Sequence, residues 1–267
     1  MPLLNVLMVG DIVGETGLQM LREHLPALIE TYTADVVIVN GENTYDGKGL
    51  RPSDAETIFR CGANVITSGN HVWERWQSKE VLGTNRNVLR PLNYPRENVG
   101  YGYVVYTLPQ GIKVGVINVQ GRTYMQPIDC PFRASDWAIG RIEQETRTII
   151  VDFHAEATAE KMALAWYLDG RVSAVIGTHT HVQTNDARIL PGGTAFLTDV
   201  GMTGPYNSVI GMKKEVAIRR FLTQTPHKFE MGEGEGRLSA VHLRIDSVTG
   251  HAHGIAPIAV PAFRTEA

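Results

Sequence analysis

The chain has 267 residues, 43% hydrophobic and 20% charged, a composition that suits a packed globular core and excludes wholesale disorder. A net charge of −3, from 25 basic and 28 acidic residues, provides no overall basic field, so duplex nucleic acid is not an expected partner. Two cysteines, Cys61 and Cys130, do not make a disulfide framework. No apolar run approaches the ~20 residues that span a bilayer, and the first run lacks a cationic lead and is broken by Asp11, so the expected location is the cytoplasm.

In chain order, Asn5 to Val9 reads as a buried strand that runs into Gly10-Asp11. Leu18, Leu21, Leu25, Leu28 and Ile29 then recur at helical spacing, predicting a helix over 16–32. A second strand, Asp35 to Val39, ends at Asn40-Gly41-Glu42-Asn43, and a helix with proline near its start follows over 52–60. A third strand, Ala63 to Thr67, ends at Ser68-Gly69-Asn70-His71, with a helix expected over 73–80. Residues 101–108 and 112–119 flank Pro109-Gln110-Gly111 and predict a hairpin. The irregular segment 121–133 has the length of a lid or binding loop, and Ser135 is expected to cap a helix reaching about Arg147. Strand 148–151 meets His154, a helix covers 156–168, and strand 172–176 meets Gly177-Thr178-His179-Thr180-His181. The last third reads mostly as strand, at 187–190, 194–198 and 237–245. One α/β domain over 1–267 results, with 83–134 as a cap or subdomain excursion.

Five apolar runs thus end in polar clusters. Strands buried on both faces imply a parallel sheet covered by helices, and ligands bind beyond the carboxyl ends of such strands. Carboxylate, amide and imidazole groups gathered there describe an oxygen and nitrogen metal site. On extended backbone, residues two apart share a face, so His179 and His181 could reach one metal centre. Adjacent Asn70 and His71 would diverge, leaving one to face the metals. Seven ligand candidates exceed what one ion usually needs. An arginine after a strand, Arg122, could hold a phosphate oxygen through a bidentate contact.

In order and spacing, this constellation resembles the calcineurin-like metallophosphoesterases, and within them the bacterial YmdB-like phosphodiesterases. The stretches that carry the resemblance are Gly10-Asp11-Ile12-Val13-Gly14, Asn40-Gly41-Glu42-Asn43, Gly47-Lys48-Gly49, Ser68-Gly69-Asn70-His71 and Arg90-Pro91. They continue with Gln120-Gly121-Arg122, Pro127-Ile128-Asp129, the segment from Gly177 to Gln183 and the segment from Thr198 to Pro205. The resemblance implies a four-layered α/β/β/α sandwich and hydrolysis of small cyclic nucleotides, notably 2′,3′-cyclic AMP. It also implies two transition metals, iron favoured and manganese next, around a bridging hydroxide that attacks phosphorus in line. By the same resemblance one metal takes Asp11, Asn43 and His181, the other takes Asn70, His154 and His179, Glu42 bridges them, and His71 protonates the leaving oxygen. The wider superfamily has a DxH motif where this chain has Asp11-Ile12-Val13, and a bridging aspartate where it has Glu42. Beside Glu42, Asn43 could supply the missing ligand. Two other readings stay open: a regulator that senses a nucleotide through the same metal site, and a metal-dependent amidohydrolase or deaminase. Homo-oligomerisation is also left open.

Overall fold

The computed structural model describes residues 3–262. Its first strands and helices are β1 (Leu3–Val9), β2 (Asp11–Ile12), α1 (Gly14–Thr31), β3 (Val36–Asn40), α2 (Pro52–Arg60) and β4 (Val65–Thr67). A 3₁₀ turn over Asn70–Glu74 leads into α3 (Trp76–Thr84), then β5 (Tyr103–Thr107), β6 (Lys113–Gln120) and α4 (Pro131–Ile142). There follow β7 (Ile149–His154), α5 (Thr158–Leu168), β8 (Ala174–Thr178), β9 (Arg188–Ile189), β10 (Ala195–Leu197) and β11 (Met202–Pro205). Last come α6 (Lys214–Thr223), β12 (Gly236–Asp246) and β13 (Ala252–Val260).

These strands form two sheets. One runs β2-β11-β12-β1-β3-β4, with β13 also on β12; the other runs β5-β6-β7-β8-β10-β9. Each contains a parallel run: β1, β3 and β4 at one end of the first, and β6, β7, β8 and β10 through the middle of the second.

The two-residue period of each strand explains the layering. On β1, Leu4, Val6 and Met8 enter the core between the sheets, while Leu7 and Val9 pack with Leu18, Leu21 and Leu25 of α1. On β3, Val36 and Ile38 face the other sheet, and Val37 and Val39 face the helices. The second sheet divides in the same way. Val116, Ile150 and Ile176 point to the shared core, whereas Ile117, Val151, Phe153 and Val175 join Ile139 of α4 and Leu164 of α5. The expected four layers, α/β/β/α, are therefore present. Burying each such side chain is worth ~1.5–3 kcal/mol before chain entropy is counted.

Several local expectations change. Ser135 lies inside α4, where its hydroxyl donates to the Pro131 carbonyl at 2.8 Å, and it caps nothing. Proline at the first helical position sets that start, because its fixed φ suits the helix and its missing N–H costs no bond there. The helix stops at Ile142, short of Arg147. The helix expected over 73–80 begins at Trp76, after the 3₁₀ turn. The last third also contains α6, which its sequence does not announce.

Candidate metal and phosphate site

At the carboxyl ends of the parallel strands, the face that builds the inter-sheet core turns polar. The positions that follow Ile38, Ile150 and Ile176 on that face are Asn40, Asp152 with His154, and Thr178, all buried. Asn40 Nδ2 donates to Asp152 Oδ2 at 3.3 Å, and Ser68 N–H donates to Asn118 Oδ1 at 3.0 Å, so both bonds cross from one sheet to the other. The candidate residues stand on this seam: Asp11, Glu42, Asn43 and Asn70 from the first sheet, and His154, His179 and His181 from the second.

His154 Nε2 is the point of convergence. Glu42 Oε1 lies 3.0 Å from it, Asn70 Oδ1 3.1 Å and His179 Nδ1 3.1 Å. Donor atoms of Glu42, His154 and His179 all fall within 4.8 Å of one another. Gly69 permits this, because a Cβ there would collide with the His154 ring. The other ring nitrogen is fixed from behind. Thr178 donates its hydroxyl proton to Asp152 Oδ1 at 2.7 Å, so its oxygen accepts from His154 Nδ1 at 2.9 Å. Such a relay orients an imidazole and raises its basicity as a ligand.

A second group lies alongside. Asn43 Nδ2 is 3.0 Å from His181 Nε2, and His181 Nδ1 donates to the Ile210 carbonyl at 2.9 Å, which turns Nε2 toward Asn43. Asp11 Oδ2 accepts the His179 backbone N–H at 3.2 Å. The histidine pair reaches these positions by another route than extended backbone. His179 and His181 have φ of 98° and 67°, in the left-handed region that a bulky side chain seldom occupies. Their rings therefore address different partners.

What holds that turn is a buried ion pair absent from the sequence reading. Lys161 Nζ of α5 donates to Asp199 Oδ2 at 2.7 Å and to the Thr178 carbonyl at 2.8 Å. Asp199 in turn accepts Thr180 N–H at 3.0 Å, Thr180 Oγ1 at 2.8 Å and Gly201 N–H at 2.8 Å. Asp199 follows β10, so its place after a strand was the available signal. Lys161 gives none, being a lysine in mid-helix. Lys161→Met is expected to destabilise the fold by ~3–5 kcal/mol, since it leaves Asp199 buried without its cation. Urea unfolding measures this, and a shift below about 1 kcal/mol would mean that the pair does not hold the turn.

Electrostatics at the seam favour added positive charge. Burial pushes the Asp11 carboxyl up, and Glu42 and Asp199 push the same way. Burial would also raise Glu42, but His154 beside it lowers it to about 2. Burial alone would lower His154, yet Glu42 and Asp11 lift it to about 9. A proton on His154 thus supplies the positive charge at this spot. Asp11 Oδ1 and Asn43 Oδ1 are buried without a hydrogen-bond partner, and Glu42 Oε1, equally buried, meets His154 Nε2. Buried oxygens left bare in this way are costly unless something binds them, and together with imidazole nitrogens they form a donor set for a borderline metal ion.

His71 lies in the 3₁₀ turn, not on extended backbone. Successive side chains there step by about a third of a circle, so it still diverges from Asn70. Its backbone N–H donates to Glu42 Oε2 at 3.0 Å, and its Nδ1 meets Glu74 Oε1 at 2.5 Å. Arg122 is exposed. Its backbone N–H donates to the Glu160 carboxylate at 3.0 Å, and its side chain is not among those lining the adjacent cavity. That cavity, of about 840 Å³, is lined by Asn70 and His179 together with Trp73, Tyr94 and Tyr124. The other histidines, His24, His227, His242, His251 and His253, are not among the residues that meet at the seam.

The sequence pattern of the YmdB-like protein family matches residues 7–258. The 2′,3′-cyclic-nucleotide 2′-phosphodiesterase of Bacillus subtilis (strain 168) is 46% identical over 249 residues, covering 93% of this chain and 94% of its own. A crystal structure of a hypothetical protein from Thermus thermophilus superposes with a TM-score of 0.90 at 42% identity, covering 96% of this chain and 98% of that one. The crystal structure of a novel phosphatase from Mycoplasma pneumoniae gives a TM-score of 0.91 at 35% identity, covering 97% and 94%. Sequence match, fold and the polar seam agree, and the chain belongs to the YmdB-like family of metallophosphoesterases.

Proposed function

We propose that this protein hydrolyses 2′,3′-cyclic nucleotides, with 2′,3′-cyclic AMP as the favoured substrate, at a dinuclear metal centre on the seam between its sheets. The observation that carries this reading is the pair of bare buried oxygens on Asp11 and Asn43, beside the convergence of Glu42, Asn70 and His179 on His154. Asp11, Asn43 and His181 would hold one ion and Asn70, His154 and His179 the other, with Glu42 shared between them. The mixed donor set suits iron, our favoured metal, or manganese. When bound, the ions would supply a water activated at neutral pH for in-line attack, and positive charge for the phosphate oxygens.

The chain's own residues do the rest. Thr178 and Asp152 hold the His154 ring in place. Glu74 fixes the His71 ring, which delivers a proton to the ribose oxygen as its bond to phosphorus breaks. Water thereby adds across the broken bond, its oxygen on phosphorus and a proton on the freed ribose oxygen, and the ring opens to a single nucleoside monophosphate. Arg122 holds a non-bridging phosphate oxygen as substrate arrives.

Protein loaded with manganese or with ferrous iron is expected to cleave 2′,3′-cyclic AMP and to lose that activity on chelation. Metal-loaded protein that binds the nucleotide without turnover would instead be a sensor. Arg122→Ala is expected to lower kcat/KM by about 10–150-fold, the value of a charge-assisted hydrogen bond. An unchanged kcat/KM would remove Arg122 from the site.

A further inference from the structure

Three aromatic side chains line the same cavity as Asn70 and His179, and they are not equivalent. Trp73 and Tyr94 pack against one another with ring centroids 5.2 Å apart, and the Tyr94 hydroxyl lies 3.1 Å from both Gln120 Oε1 and Gln126 Oε1. Tyr124 is 90% exposed, and its φ is 62°. A bulky residue seldom adopts that left-handed conformation, which is strained for it. The surrounding backbone nevertheless enforces it. Arg122 and Thr123 donate their N–H groups to the Glu160 carboxylate at 3.0 Å, and Met125 N–H donates to the Arg122 carbonyl at 3.2 Å. Beyond the turn, Gln126 is tied to Tyr94. The chain thus accepts strain to hold one bare aromatic ring on a fixed support, at the wall of a cavity that two proposed metal ligands also line.

We propose that Tyr124 is the nucleobase platform of this site: its ring stacks on the base of a nucleotide whose phosphate lies at the Asn70 and His179 end of the cavity. This rests on the phosphodiesterase reading above and adds a subsite to it. A ribose separates phosphate from base, so the base of a bound nucleotide falls outside the metal ligands, and the cavity those ligands share offers it an aromatic wall. Stacking needs only a π-face and accepts every base. Tyr124 therefore contributes affinity for nucleosides as a class, stronger for the larger purines, without reading base edges.

The test compares adenosine 2′,3′-cyclic phosphate with methyl β-ribofuranoside 2′,3′-cyclic phosphate, which has the same reacting ring and no base. Wild-type protein is expected to favour the adenosine substrate. In Tyr124→Ala that advantage is expected to shrink by about 5–150-fold, the measured range for one base–aromatic stack, chiefly through KM. Tyr124→Trp is expected to retain it. Calorimetric titration of adenosine 3′-monophosphate into the metal-loaded proteins should show the same loss in affinity for the alanine variant. Equal falls on both substrates, or an unchanged advantage, would overturn the stacking role while leaving hydrolysis in place. A metal-loaded wild type that cleaves neither substrate would overturn the phosphodiesterase reading and this subsite with it.

Discussion

Glu42→Gln is expected to release metal from both positions and to lower kcat/KM by at least about 10²-fold, since even residues behind the ligands cost 10–100-fold in metal affinity. The substitution keeps size and shape. An amide oxygen still accepts the His71 N–H that Glu42 Oε2 now holds at 3.0 Å, so the protein should fold. What disappears is the negative charge that two cations would share. Elemental analysis after gel filtration, with circular dichroism to confirm folding, measures the effect. A folded variant with a full complement of two ions would show that Glu42 is not the bridge.

His71→Ala should behave in the opposite way, keeping its metals and losing chemistry. General-acid catalysis contributes ~10²–10⁴-fold, most where the leaving oxygen is a strong base. A ribose alkoxide is a poor leaving group, whereas p-nitrophenolate departs without help. The variant should therefore lose ~10²–10⁴-fold on 2′,3′-cyclic AMP and far less on bis(p-nitrophenyl) phosphate. Glu74→Gln, which removes the carboxylate that fixes the His71 ring, should reproduce a smaller part of the same selective loss. If His71→Ala lost equally on both substrates, or lost bound metal, positioning or ligation would be its role.

Much of this site was legible because strand ends are places where a buried apolar pattern must stop. The stops at Asp11, Glu42, Asn70, His154 and His179 are polar, and parallel topology gathers them without further information. The supports were hidden. Nothing local distinguishes Lys161 from a surface lysine of an amphipathic helix, because its role comes from Asp199, 38 residues away. Gln183, just after His181, is likewise structural, its Nε2 donating to the carbonyls of Val200, Ala240 and Ile258. The helix α6 escapes a pattern search because it buries little: Ile218, Phe221 and Leu222 stay exposed, so no core-facing stripe marks it. Ser135 misleads because a serine near a helix start caps only when it precedes the first turn, and here proline begins the helix four residues earlier.

The proposed ligands are contributed by both sheets, four from one and three from the other. An ion cluster that draws on both acts as a rivet through the seam, and its binding energy then belongs partly to folding. At a free-ion concentration a hundred times Kd, a single bound ion adds about 2.7 kcal/mol to the folded state. Metal supply would thus govern how long the protein survives as well as how fast it works. A cell starved of transition metal would find the enzyme first silent and then, as the unriveted sheets part more often, consumed by its own proteases.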